Sequence, residues 1–348
     1  MKNFTLSIYF LMILFSCKTE YKPRDIESIK IEKIPVDSTS IRAIHVINND
    51  IAYFAGANGK VGYTSKDGYK LSTKNFVYQD SIIPSFRSIA SNGKDIFVLS
   101  IVNPALLYKL NEYEYSLVYK EKHEKVFYDA MKFFEDGIHG IAVGDPTEDC
   151  PSIIITEDSG ENWSKIPCEH LPKFDSGEAF FAASNTNLKI IGNTVWMVSG
   201  GVKSRVYKST DFGNTWETYE TPMIQGNSTE GGYTMDFADE NNGIIMGGDY
   251  SKPDSNSANK AITTDGGKTW TLVGVNQHPG YKSCVQYVPN TDGKEVFAVG
   301  FTGVSYSKDG GLTWKEVSKE KYLAIQFVDR NTAWLSGSKK MGKLILVD

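Results

Sequence analysis

Short runs of alternating hydrophobic and polar residues recur along the chain, bounded by glycine, asparagine or aspartate. A period of two marks half-buried β-strands. Seven strand-like segments open a repeating unit, at 43–46, 88–90, 130–133, 179–181, 234–237, 284–287 and 324–327. A second run follows most of them and ends in glycine, at Gly56, Gly144, Gly200, Gly247, Gly300 and Gly337. The units lie roughly 40–55 residues apart, the spacing expected of four-stranded propeller blades.

The turn between the third and fourth strands carries its own signature: Ser or Thr, any residue, Asp, any residue, Gly, with Trp five positions after the Asp. It contains Asp158 with Trp163, Asp211 with Trp216, Asp265 with Trp270, and Asp309 with Trp314. A copy at Asp67 lacks the Trp, and the second unit has lost the motif. The chemistry is that of a structural turn. A carboxylate can accept backbone N–H bonds, and glycine supplies a positive φ. The indole is a large plate suited to a seam between sheets.

These motifs resemble the Asp-box, or BNR, repeat. The reading is an all-β chain folded as a seven-bladed β-propeller of four-stranded antiparallel blades. The last unit is one strand short, and residues 28–34 supply a spare strand at the other end. An N-terminal strand is therefore expected to complete the last blade and close the ring. The ring as a whole resembles bacterial BNR-repeat proteins related to photosystem II stability and assembly factors. That resemblance implies a propeller, in several cases lipid-anchored, that binds protein partners during assembly of membrane complexes.

The N-terminus reads differently from the ring. Residues 1–16 combine Lys2 with an apolar stretch too short to span a bilayer, as in a signal peptide. They end Leu14-Phe15-Ser16 before Cys17, which resembles a bacterial lipobox with Cys17 as the lipidated residue. Residues 17–27 form a short tether and 28–348 the single propeller domain. The expected location is the cell envelope, by export and lipid anchoring, with the outer membrane favoured by Lys18. An exported setting permits a disulfide among Cys150, Cys168 and Cys284, and Cys150 with Cys168 is the pairing considered.

Composition narrows the function classes. The formal net charge is −5 and no run of Lys or Arg stands out, so nucleic acid is not an expected partner. Scattered His and Cys offer no zinc pattern, and no dinucleotide or phosphate-loop motif is in context, so neither metal nor cofactor is expected. The default site is the face opposite the Asp-turns and the channel mouth. The candidate residues there are Arg87, Tyr128, Asp145, Glu178, Arg205, Glu230, Tyr233, Asp249, Lys260 and Tyr281.

The leading reading is a monomeric, non-catalytic binding or assembly scaffold for an envelope protein or glycan. The alternative is a glycan-active hydrolase using two of Asp145, Glu178, Glu230 and Asp249. A sialidase would need an arginine triad. Among Arg24, Arg42, Arg87, Arg205 and Arg330, Arg24 precedes the ring and only Arg87 and Arg205 are placed to contribute.

Overall fold

A computed structural model describes residues 21–65, 70–111 and 114–346. The segment expected to be a signal peptide, Cys17 and Asp67 lie outside the described residues. The rest is an all-β propeller of 28 strands with one short 3-10 turn at Cys168–His170.

The strands form six hydrogen-bonded sheets, not the seven separate four-stranded blades expected; four have four strands and two have six. The first departure has a simple cause. The strand Lys30–Val46 continues through a register shift between Pro35 and Ser40, pairing Lys30 with Ile345 and Ser40 with Ser338, then Ile41 with Gly56 and Val46 with Ala52. The first and last units therefore share one sheet, which joins the two ends of the chain.

The second departure lies in the fourth unit. Residues 179–181 do not open it. Ala179 pairs with Gly200 in a two-residue strand, Glu178–Ala179, that joins the neighbouring sheet. The edge strand of the fourth unit is Leu188–Ile191, paired with Thr194–Val198. Residues between the two are free to do something else, and they do.

The four complete Asp-turns share one hydrogen-bond net. Each Asp accepts from the Ser or Thr hydroxyl two residues earlier, at 2.9, 2.7, 2.8 and 2.8 Å. Each accepts the N–H four residues later, from Asn162, Thr215, Thr269 and Thr313, at 2.8–2.9 Å. The same Ser or Thr oxygen receives the N–H of Gly160, Gly213, Gly267 or Gly311 at 2.9–3.0 Å. Those glycines have φ between 85° and 98°, which side chains rarely adopt. Each Trp then donates its indole N–H to the carbonyl of that glycine.

Packing is concentrated in seams between neighbouring sheets. Phe97, Phe133 and Trp163 meet with ring centroids 4.8–6.3 Å apart, and Trp196 stacks on Phe237 at 4.2 Å. Cys150 and Cys168 are bonded, and Cys284 is buried and free.

Slight burial pushes the Asp265 carboxyl up, but hydrogen bonds from Thr269 and Thr263 outweigh it and hold the group at about 2. A depressed value stabilises the fold above the unfolded value near ~4 and loses that contribution as pH falls through about 2. Asp265→Ala should cost about 1 kcal/mol at neutral pH, as losing a helix cap does. Denaturant titrations should show the gap between the two proteins closing toward pH 2. Deleting residues 26–36 removes most of the pairing that joins the chain ends, and should lower the melting temperature sharply. An unchanged melting temperature would contradict that role.

Candidate functional site: a plugged channel mouth

In four inner strands one extra residue interrupts the ladder at the end away from the Asp-turns. Ile41 and Ala43 face Gly56 and Ala55, leaving out Arg42. Phe86 and Ser88 face Ser100 and Leu99, leaving out Arg87. Tyr128 and Ala130 face Gly144 and Val143, leaving out Asp129. Gly232 and Thr234 face Gly247 and Met246, leaving out Tyr233. Such a bulge leaves its residue unpaired and re-aims the side chain. The glycines ending the second strands fit this geometry. A Cβ on Gly144 would lie 2.3 Å from the Phe127 carbonyl, and one on Gly247 would lie 2.0 Å from that of Gly231.

The channel beneath is closed by residues 182–187. Asn185 sits at φ 63°, a conformation asparagine tolerates. Its Oδ1 accepts the Met131 N–H at 2.9 Å, and its Nδ2 donates to the Ile89 carbonyl at 2.8 Å. Ser184 donates to the Ser283 carbonyl at 2.5 Å, and the Met235 N–H donates to the Thr186 carbonyl at 2.8 Å. Partners from four separate inner strands hold this segment as a plug.

A cavity of about 380 Å³ lies above the plug, with Ala182 and Ala183 in its floor. Arg42 donates to the Ala183 carbonyl at 3.4 Å and Arg87 to that of Ala182 at 3.2 Å. Neither guanidinium has an ion pair among the described residues. Burial lowers both, and Arg42 adds to the effect on Arg87, which falls to about 10 with Asp129 opposing. Both remain cationic at neutral pH.

Asp145 accepts the Phe180 N–H at 2.8 Å. Asp129 is fully buried, and the Asp145 and Ala182 backbone N–H groups near its carboxylate make no well-formed hydrogen bond to it. Burial raises both acids, and the Asp145 charge raises Asp129 further, against Arg87.

The remaining wall is aromatic. Phe181 stacks on Tyr233 with centroids 3.9 Å apart and planes 7° from parallel. Tyr281 and Tyr250 meet Tyr233 edge-on at 4.9 and 6.1 Å, and Phe301 stacks on Tyr281 at 5.8 Å. Tyr250 and Phe301 are well exposed, at 46% and 38%.

The BNR/Asp-box repeat model matches residues 261–272, the turn at Asp265 and Trp270. In structure the chain is similar to "YCF48 bound to D1 peptide", at 16% identity and TM-score 0.66, covering 94% of this chain and 100% of that one. The chain is a β-propeller that carries a BNR/Asp-box repeat at residues 261–272. YCF48 from Cyanidioschyzon merolae is similar at 14% identity and TM-score 0.64, covering 91% of this chain and 98% of that one. The RRP9 WD40 repeats follow at 11% and 0.67, covering 93% and 100%. At these identities the likeness is one of fold. No curated protein matches the chain in sequence.

Of the ten candidate residues, the propeller brings Arg87, Asp145, Tyr233 and Tyr281 together at this mouth. The others have internal work. Tyr128 is fully buried and donates to Glu121 at 2.7 Å. Glu178 is buried against Arg205 at 2.5 Å and accepts from Tyr207 at 2.7 Å. Glu230 accepts from Asn227 at 2.9 Å, and Asp249 from Ser251 at 2.6 Å. Lys260 donates to Asn259 and the Gln277 carbonyl at 2.8 and 2.9 Å.

Arg42, Asp129, Phe181, Tyr250 and Phe301 were not among the candidates. One signal was available for two of them. Arg42 and Asp129, like Arg87 and Tyr233, immediately precede the alternating run that opens their unit.

Asn185→Ala would leave the Met131 N–H and the Ile89 carbonyl buried without partners. The expected loss is about 3 kcal/mol, from two orphaned groups. Urea unfolding reads it directly, and a loss within error of zero would contradict the plug.

Proposed function

We propose that this propeller is a binding scaffold that takes an acidic protein segment bearing aromatic or large apolar side chains at the plugged mouth. The carrying observation is the pairing of two guanidiniums, without ion-pair partners among the described residues, with a five-ring aromatic wall. Aromatic and arginine side chains dominate the energetics of protein recognition. Planar guanidinium forks suit carboxylates. The likeness to "YCF48 bound to D1 peptide" supports a peptide rather than a small metabolite. The sequence supports an exported protein held at the envelope by a lipid on Cys17, which adds a location to the same reading.

A glycan hydrolase fits less well. Of the four carboxylates suggested for it, Asp145 alone opens onto this cavity, and Glu178, Glu230 and Asp249 are held by partners elsewhere.

The acid pair sets the sign of the pH response. Below their raised values Asp129 and Asp145 are protonated and the mouth carries the arginine charge. As pH rises through those values the pair ionises and offsets Arg42 and Arg87. Affinity for an acidic segment should therefore fall with rising pH, and Asp145→Asn should flatten the profile. An array of envelope-protein peptides should return acidic, aromatic-containing binders. The Arg42→Ala/Arg87→Ala protein should bind them at least tenfold more weakly, about 1.4 kcal/mol. Binding that survives the double substitution, or an array with no binder, would overturn the reading.

A further inference from the structure

We infer that the Asp-turn face is the membrane-proximal face of this propeller and that the plugged mouth points away from the bilayer. The inference rests on the lipid anchor proposed at Cys17. Its geometry comes from residues 21–27, which are clamped onto the ring before the first strand begins.

Arg24 and Glu295 form an ion pair at 2.6 Å, with side chains 9% and 0% exposed. Glu295 also accepts the Tyr21 hydroxyl at 2.6 Å and the Arg24 backbone N–H at 2.7 Å. Arg24 reaches the Asn331 side chain and the Arg330 carbonyl, each at 2.9 Å, and the Tyr306 hydroxyl donates to the Arg24 carbonyl at 2.8 Å. Lys308, inside an Asp-turn, holds Asp25 at 2.9 Å, and Lys315 holds Glu27 at 2.6 Å. Burial alone would raise Glu295, but the bonds from Arg24 and Tyr21 win and lower it. A buried charge so fully paired is costly to release.

These contacts place Tyr21 on one face only. Glu295 stands at the start of the strand Val296–Gly300, and Phe301, just past its other end, lines the mouth cavity. Arg330 and Asn331 lie in the turn before Thr332–Ile345, on the Asp-turn side. Four chain steps separate Cys17 from Tyr21, a reach of at most ~14 Å. The path around the rim to the opposite face is on the order of 30 Å, from strand length and the width of a four-stranded sheet. The acyl chains therefore enter the bilayer beside the Asp-turn face.

Among the described residues this face mixes both signs: its turns carry the exposed Asp50, Asp136, Asp239, Glu240 and Asp292 together with the exposed Lys94, Lys268 and Lys308, and no basic patch stands alone. Among the described residues no helix is long and apolar enough to cross a membrane. Attachment through acyl chains predicts association that is insensitive to salt and to anionic lipid, unlike a basic patch.

The test uses the full lipidated chain on vesicles with rhodamine-labelled headgroups. Single thiols for a donor dye are introduced by Lys268→Cys on the Asp-turn face and Val202→Cys, 46% exposed, beside the mouth. The native Cys150 and Cys168 are bonded to each other and Cys284 is buried, so the new thiol takes the dye. Energy transfer from position 268 should exceed that from 202 several-fold. Adding Tyr21→Ala and Arg24→Ala should erase the difference while the protein stays on the vesicles. Equal or reversed transfer overturns the orientation but leaves the anchor standing. Vesicle association that persists in Cys17→Ser overturns the anchor, and the orientation with it.

Discussion

One extra residue in each of four inner strands organises the mouth of this propeller. Strand register is strict because the side-chain period is two, so a residue inserted in one strand alone must leave the ladder. Arg42, Arg87, Asp129 and Tyr233 occupy that inserted position in their respective strands. The ladder resumes on either side, so the insertion changes where a side chain points without changing which face is core. Four separate strands thereby deliver two cations, one acid and one aromatic ring to the same place.

The plug gives that cluster a floor and a reason to stay rigid. An open channel would let the guanidiniums hydrate freely. Here they are partly desolvated against the carbonyls of Ala182 and Ala183. Partly desolvated charges interact more strongly with an incoming opposite charge than exposed ones do. The Asp-turns do the complementary work at the other face, where identical local nets fix the strand ends and no chemistry is left over. Structure and recognition are thus divided between the two faces.

The Asp-turns were fully legible in the sequence because their chemistry is local. Ser or Thr, Asp, Gly and Trp satisfy one another within eight residues, so the motif spells its own hydrogen bonds. The blade count was not legible. Alternation counts runs, but it cannot say that Lys30–Val46 continues, through a bulge, from the last set of strands into the first. The fourth unit misled for a related reason. Residues 179–181 are apolar like an opening strand, yet Phe180 and Phe181 turn away to pack at the mouth. The plug at 182–187 has small and polar residues and no period, and its bonds are all to distant strands. Half the site was equally hidden. A bulge has no residue signature of its own, so Arg42 and Asp129 read as link residues until the register is known.

A one-residue deletion tests the bulge account most directly. Removing Arg87 should excise the inserted residue and leave both flanks of the strand in register. Removing Ile89, two positions on, should flip half the strand. Thermal unfolding and peptide binding of the two proteins separate the cases. The account predicts that the protein lacking Arg87 unfolds cooperatively near the parent temperature but binds poorly, while the protein lacking Ile89 is severely destabilised. Equal destabilisation by both deletions, or full binding without Arg87, would contradict it.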